Sequence, residues 1–143
     1  MATFGAGNLR YNVVDNWAKK PRGWSYTDVV GVATDSRDRV YVFTRSAHPV
    51  MVFDKDGAFV RSWGEGRFAW PHGIDIDGSD NVWCTDGGDH TVTKWDTDGI
   101  LLMTLGRPGI CSDTGFTNED LWGVKRAAGP FNRPTKAVVA PSG

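Results

Sequence analysis

Gly31-Val-Ala-Thr-Asp-Ser-Arg-Asp-Arg-Val-Tyr-Val-Phe43 returns 42 residues later as Gly73-Ile-Asp-Ile-Asp-Gly-Ser-Asp-Asn-Val-Trp-Cys-Thr85. Extended to both sides, residues 31–64 align with residues 73–106 without a gap, and 10 of the 34 positions are identical. The identities include Gly31/Gly73, Asp35/Asp77, Asp38/Asp80, His48/His90, Asp54/Asp96 and Gly57/Gly99, and apolar residues match at several more places. A period in the low forties suits a four-stranded propeller blade or an armadillo-type pair of helices. The local pattern decides. No part of the repeat shows apolar residues at i, i+3, i+4 and i+7, so the helical option falls away.

Each copy reads as four strands separated by turns. Gly31–Thr34 is short and apolar, and Asp35–Asp38 is a polar turn in which Asp can bond the backbone ahead of it. Arg39–Phe43 is β-branched and aromatic, Pro49–Phe53 is a third apolar run, and Asp54-Lys-Asp-Gly57 sets Gly where a hairpin needs positive φ. Ala58–Trp63 alternates, as an outer strand does. The second copy repeats the plan through Gly73–Ile76, Asn81–Thr85, Thr91–Trp95 and Ile100–Leu105. The expected fold is all-β: two complete propeller blades at 29–64 and 70–106.

The flanks extend this plan within one domain, 1–143. Pro134–Gly143 aligns with Pro71–Asp80, so residues 131–143 should begin a third blade with its innermost strand. Residues 10–28 form a lead-in whose Arg10–Trp17 reads as an extended strand, similar to the outer strand that closes many propeller rings. The loop 107–130 is long, which usually marks a functional or mobile segment. Within it Asn118–Trp122 suggests a helical turn. A ring of about 4–8 blades cannot be closed by two. The expectation is therefore a longer protein running past Gly143, with three copies supplying six blades as the alternative.

Composition narrows the function classes. A formal net charge of −1 gives no sign of the basic patch a nucleic-acid partner requires. No apolar run approaches the ~18 residues of a membrane span. The first ten residues lack the basic and apolar regions of a secretory signal, so a cytoplasmic location is the default expectation. Cys84 and Cys111, at a spacing with no metal motif, read as two free thiols.

Five motifs carry a resemblance: Gly31-Val-Ala-Thr-Asp-Ser36, Trp70-Pro-His-Gly-Ile-Asp-Ile-Asp77, Val82-Trp-Cys-Thr-Asp86, Leu105-Gly-Arg-Pro-Gly109 and Phe131-Asn-Arg-Pro-Thr135. They resemble NHL-repeat propellers, and among these the peptidyl-α-hydroxyglycine α-amidating lyases and their bacterial relatives. The resemblance spans roughly residues 29–143. It implies a six-bladed propeller that splits a peptidyl α-hydroxyglycine into a peptide amide and glyoxylate. It implies a channel zinc held by three His, of which His72 matches the first, and a catalytic Arg at Arg45. It implies a structural calcium bound partly by backbone carbonyls at Val32 and Ile74. The remaining ligands and the catalytic Tyr would lie past Gly143, so this stretch alone should be inactive. One departure is Lys136, where the relatives usually carry an acidic residue.

Against this stand plainer readings. The recurrent Asp residues belong to turns, and His48 and His90, at equivalent positions, suggest a shared structural task. A propeller can also serve as a metal-free platform for protein partners. A lactonase-type propeller would line its channel with carboxylates instead of His. The lyase reading calls for a small peptide-like substrate and zinc.

Overall fold

The structure, a computed structural model, describes residues 3–117, 119, 120 and 122–140. They contain ten strands and no helix. Strands β3 (Val29–Thr34), β4 (Val40–Thr44), β5 (Val50–Phe53) and β6 (Phe59–Trp63) form one antiparallel sheet in chain order. Strands β7 (Pro71–Ile76), β8 (Val82–Asp86), β9 (Thr91–Trp95) and β10 (Leu101–Leu105) form a second of the same order. These are the two expected blades, with strand ends within two residues of the sequence reading.

The turns explain where strands stop. Asp35 Oδ1 accepts the amides of Arg37 (3.0 Å) and Arg39 (2.9 Å), and Asp77 Oδ1 accepts those of Ser79 and Asn81 (2.9 Å each). Asp54 and Asp96 accept two amides each in the outer hairpins. The repeated carboxylates are thus turn formers. The inner Asp of each blade also holds the next strand through a buried or half-buried side chain: Tyr41 Oη donates to Asp35 (3.2 Å) and Trp83 Nε1 to Asp77 (2.9 Å).

Period-two alternation sorts the core into two layers. Tyr41, Phe43, Val50 and Val52 face blade two and pack with Ile74, Val82, Cys84 and Trp95. Val42, Met51 and Phe53 face the opposite way and are sealed by the lead-in through Trp17, Trp24 and Tyr26. The blades meet closely at both edges. A Cβ at Gly31 would lie 2.9 Å from Ile74 Cγ2, and one at Gly73 would lie 2.6 Å from the Thr135 carbonyl, so the inner strands need glycine there. At the outer edge the Trp63 ring rests on Gly99. Asp80 of blade two accepts the Ser36 amide (2.8 Å) and hydroxyl (2.6 Å) of blade one.

The flanks depart from expectation. The extended segment at 10–17 is instead a hairpin, β1 (Thr3–Ala6) with β2 (Leu9–Asn12), which pairs with neither blade. β2 ends at Asn12, which pairs with Thr3 at the start of β1. The chain meets blade one later, where the Lys19 amide donates to the Gly57 carbonyl (2.8 Å). Residues 134–140 lie against β7 and β8 as a third blade's inner strand should, the Ala137 amide reaching Thr85 Oγ1 (3.1 Å) and the Val139 amide Asp75 Oδ2 (3.3 Å). They form no ladder among the described residues. Residues 141–143 lie outside those described, as do Asn118 and Leu121 of the anticipated helical turn.

Candidate functional site

His72 occupies the second position of β7, half-buried beside the third segment. Its Nδ1–H donates to the Thr135 carbonyl at 2.9 Å. A carbonyl can only accept, so in the neutral ring the proton sits on Nδ1 and Nε2 carries a lone pair. Ligating His residues are commonly fixed in this way, through the other ring nitrogen to a backbone carbonyl. Val32, His72 and Ile74 all border one groove of about 360 Å³ along the inner strands, so the structure brings the three expected metal positions together. Ile74 is buried and Val32 is exposed. Among the described residues the groove has no carboxylate on its walls, and Lys136 is one of its lining residues. Among the described residues no three His, Cys, Asp or Glu side chains cluster as a metal set. His72 fits as one imidazole ligand; the described residues do not complete a shell.

Arg45 follows β4 and braces the junction between blades. Its Nε donates to the Pro71 carbonyl (3.2 Å), next to His72, and Nη1 pairs with Asp28 Oδ2 (3.4 Å). The guanidinium lies 4.0 Å from the centre of the Trp70 ring, a cation–π contact. Trp70 in turn walls a cleft of about 600 Å³ that also touches His72, Phe116 and Arg133.

Asp86, at the end of β8, is the organiser that the sequence reading did not single out. Its buried carboxylate accepts four amides: Ala69 (2.6 Å), Trp70 (2.8 Å), Gly88 (2.9 Å) and Asp89 (3.0 Å). Charge-assisted bonds of this kind are stronger than neutral ones. They fix the approach to His72 and the loop after β8 as one unit. The signal for it was the repeat itself: blade one carries Thr44 at this place, which instead caps its own loop through the His48 carbonyl (3.2 Å).

No family model matches the chain. Human NHL repeat-containing protein 3 is 35% identical over 111 residues, 71% of this chain and 31% of that protein. Rat peptidylglycine α-amidating monooxygenase is 32% identical over 151 aligned positions, covering 80% of this chain and 15% of the relative. The repeats are NHL repeats. A fruit-fly peptidyl-α-hydroxyglycine α-amidating lyase 1 is 45% identical over 47 residues, 31% of this chain and 9% of its own length. Among solved structures, virginiamycin B lyase from Staphylococcus aureus aligns with a TM-score of 0.49 and 16% identity, over 64% of this chain and 32% of that one. The chain spans about a third or less of each of these proteins.

The two other His residues of the NHL blades hold flanking segments. His48 stacks on Trp24 and meets Glu65 (3.2 Å), whereas His90 Nδ1 accepts the Arg133 amide (3.1 Å). Burial pushes the Cys84 thiol well up, with the Asp86 charge adding to it, so this thiol stays protonated and inert. Cys111 is exposed and free.

Proposed function

We propose that the protein built on these NHL blades is a metal-dependent lyase that splits a peptidyl α-hydroxyglycine into a peptide amide and glyoxylate. Two things support the reading: the similarity to amidating enzymes, and the His72 ring held by Thr135 with Nε2 left for coordination. His72 would supply one ligand to a zinc ion, the others coming from elsewhere in the whole protein. Zinc so held would lower the pKa of the substrate hydroxyl. Arg45 keeps the Pro71 carbonyl, and with it His72, in place. Its remaining N–H groups can stabilise negative charge that develops as the C–N bond breaks and the carbonyl forms. A calcium at Val32 and Ile74 would share its groove with the cationic Lys136, which opposes a second cation there.

The test is zinc content and glyoxylate release by the full-length protein and its His72→Ala variant. Bound zinc and glyoxylate from an α-hydroxyglycine peptide, both lost in the variant, are expected. A folded wild-type protein with neither overturns the reading.

A further inference from the structure

The two blade junctions are built from equivalent positions with one exchange. At the first, Arg45 after β4 lies over Trp70 before β7. One repeat on, the position of Arg45 is Gly87, and that of Trp70 is Arg133 in Phe131-Asn-Arg-Pro134. The first junction fills itself with its own arginine. The second has an arginine on the opposite wall and, at the position of Arg45, a glycine with no side chain, and the 600 Å³ cleft lies there.

The space comes from a missing side chain rather than from a misfit. A Cβ at Gly87 would stand 3.4 Å from the Pro134 carbonyl, 3.7 Å from Trp70 Cδ1 and 3.9 Å from His72 Cδ2, all ordinary contacts. Trp70 and Phe116 give the cleft apolar aromatic walls. Arg133 is anchored at its backbone by His90, in the left-handed region at φ 52°. Among the described residues its guanidinium makes no hydrogen bond or ion pair. Arg45, by contrast, already spends Nε and Nη1 on protein partners.

We propose that this cleft binds a carboxylate that carries a flat apolar group, the carboxylate on the Arg133 fork and the flat group against Trp70 and Phe116. A planar guanidinium suits a carboxylate through two parallel bonds, and aromatic walls favour an aromatic guest. The inference rests on the lyase reading in naming the substrates: α-hydroxyglycine peptides whose preceding residue is aromatic.

The experiment measures binding to the full-length protein by calorimetry, with no turnover required. The probes are N-acetyl-Phe-Gly, its C-terminal amide, and N-acetyl-Ala-Gly. The first should bind about tenfold or more tightly than either of the others, the size expected for one charged hydrogen-bonded pair or one buried aromatic ring. Arg133→Gln should erase the preference for acid over amide and keep that for Phe over Ala. Gly87→Leu, which narrows the cleft beside Trp70 and His72, should weaken binding of all three. Equal affinities for the three probes, no binding by the wild type, or an acid preference that survives Arg133→Gln overturns the proposal. Failure of the lyase reading shows separately: no glyoxylate from any α-hydroxyglycine peptide, with the binding preferences intact.

Discussion

Strands β6 and β10 hold the same place in their blades and meet opposite surroundings. β6 is Phe-Val-Arg-Ser-Trp, ending on a Trp63 that is 6% exposed beneath the second blade. β10 is Leu-Leu-Met-Thr-Leu, more apolar throughout, yet every residue is exposed. The difference extends inward. β5 is wholly buried between the lead-in and blade two, whereas in the equivalent β9 Thr93 and Lys94 are only half-buried. Burial in these blades is therefore a property of the neighbour, and a blade with both neighbours is the complete cooperative unit.

The largest expected effect tests that unit. Phe53 is fully buried and touches Trp17 of the lead-in and Phe59 of β6 through ring contacts. Phe53→Ala should cost about 3–5 kcal/mol in urea unfolding of the full-length protein. A loss below about 1 kcal/mol would mean the lead-in does not seal blade one.

A middle-sized effect concerns blade two, and it depends on pH. Burial tends to raise the Asp77 carboxyl, but bonds from Trp83, Asn81 and Ser79 outweigh it and bring it down to about 2 from 3.8. The folded state thus favours the charged form. That stabilisation is complete above the unfolded value and disappears as pH falls through the folded one. Asp77→Asn should cost stability at pH 7 and progressively less between pH 4 and pH 2. A cost that stays constant across that window would show that the side chain acts by shape alone.

The smallest effect sharpens the comparison at the bare edge. Leu102 is 51% exposed and Val60, its equivalent in blade one, is 41% exposed. Leu102→Lys should change stability by less than about 0.5 kcal/mol. A loss above about 1 kcal/mol in the full-length protein would mean that a neighbour covers this strand.

The blades were legible because their signals are local and repeated. Asp-x-Asp-Gly turns and alternating apolar runs need only a few residues to act, and two copies confirm each other. The hairpin β1–β2 was not legible, since its side chains are exposed and no buried face imposes alternation on it. At the site, the resemblance pointed to His72, Val32 and Ile74 one by one, and only the structure showed that the three border a common groove. The clamp of Asp86 did not, because its four amides come from two separated stretches of chain. The exchange of Arg45 for Gly87 stood in the alignment from the start. Its meaning depended on knowing that Trp70 and Arg133 face those two positions.

The contacts between blades also carry a geometric instruction. At both edges a glycine of one blade receives a side chain of the other: Gly31 takes the isoleucine chain of Ile74 at the inner edge, and Gly99 takes the larger indole of Trp63 at the outer edge. Two sheets held apart by unequal spacers cannot lie parallel, so their planes diverge outward like the staves of a fan. The curvature of the array is set by the difference in volume between those two spacers. A methyl group added at Gly31 would thicken the inner edge, flatten the fan and change how many blades complete a turn.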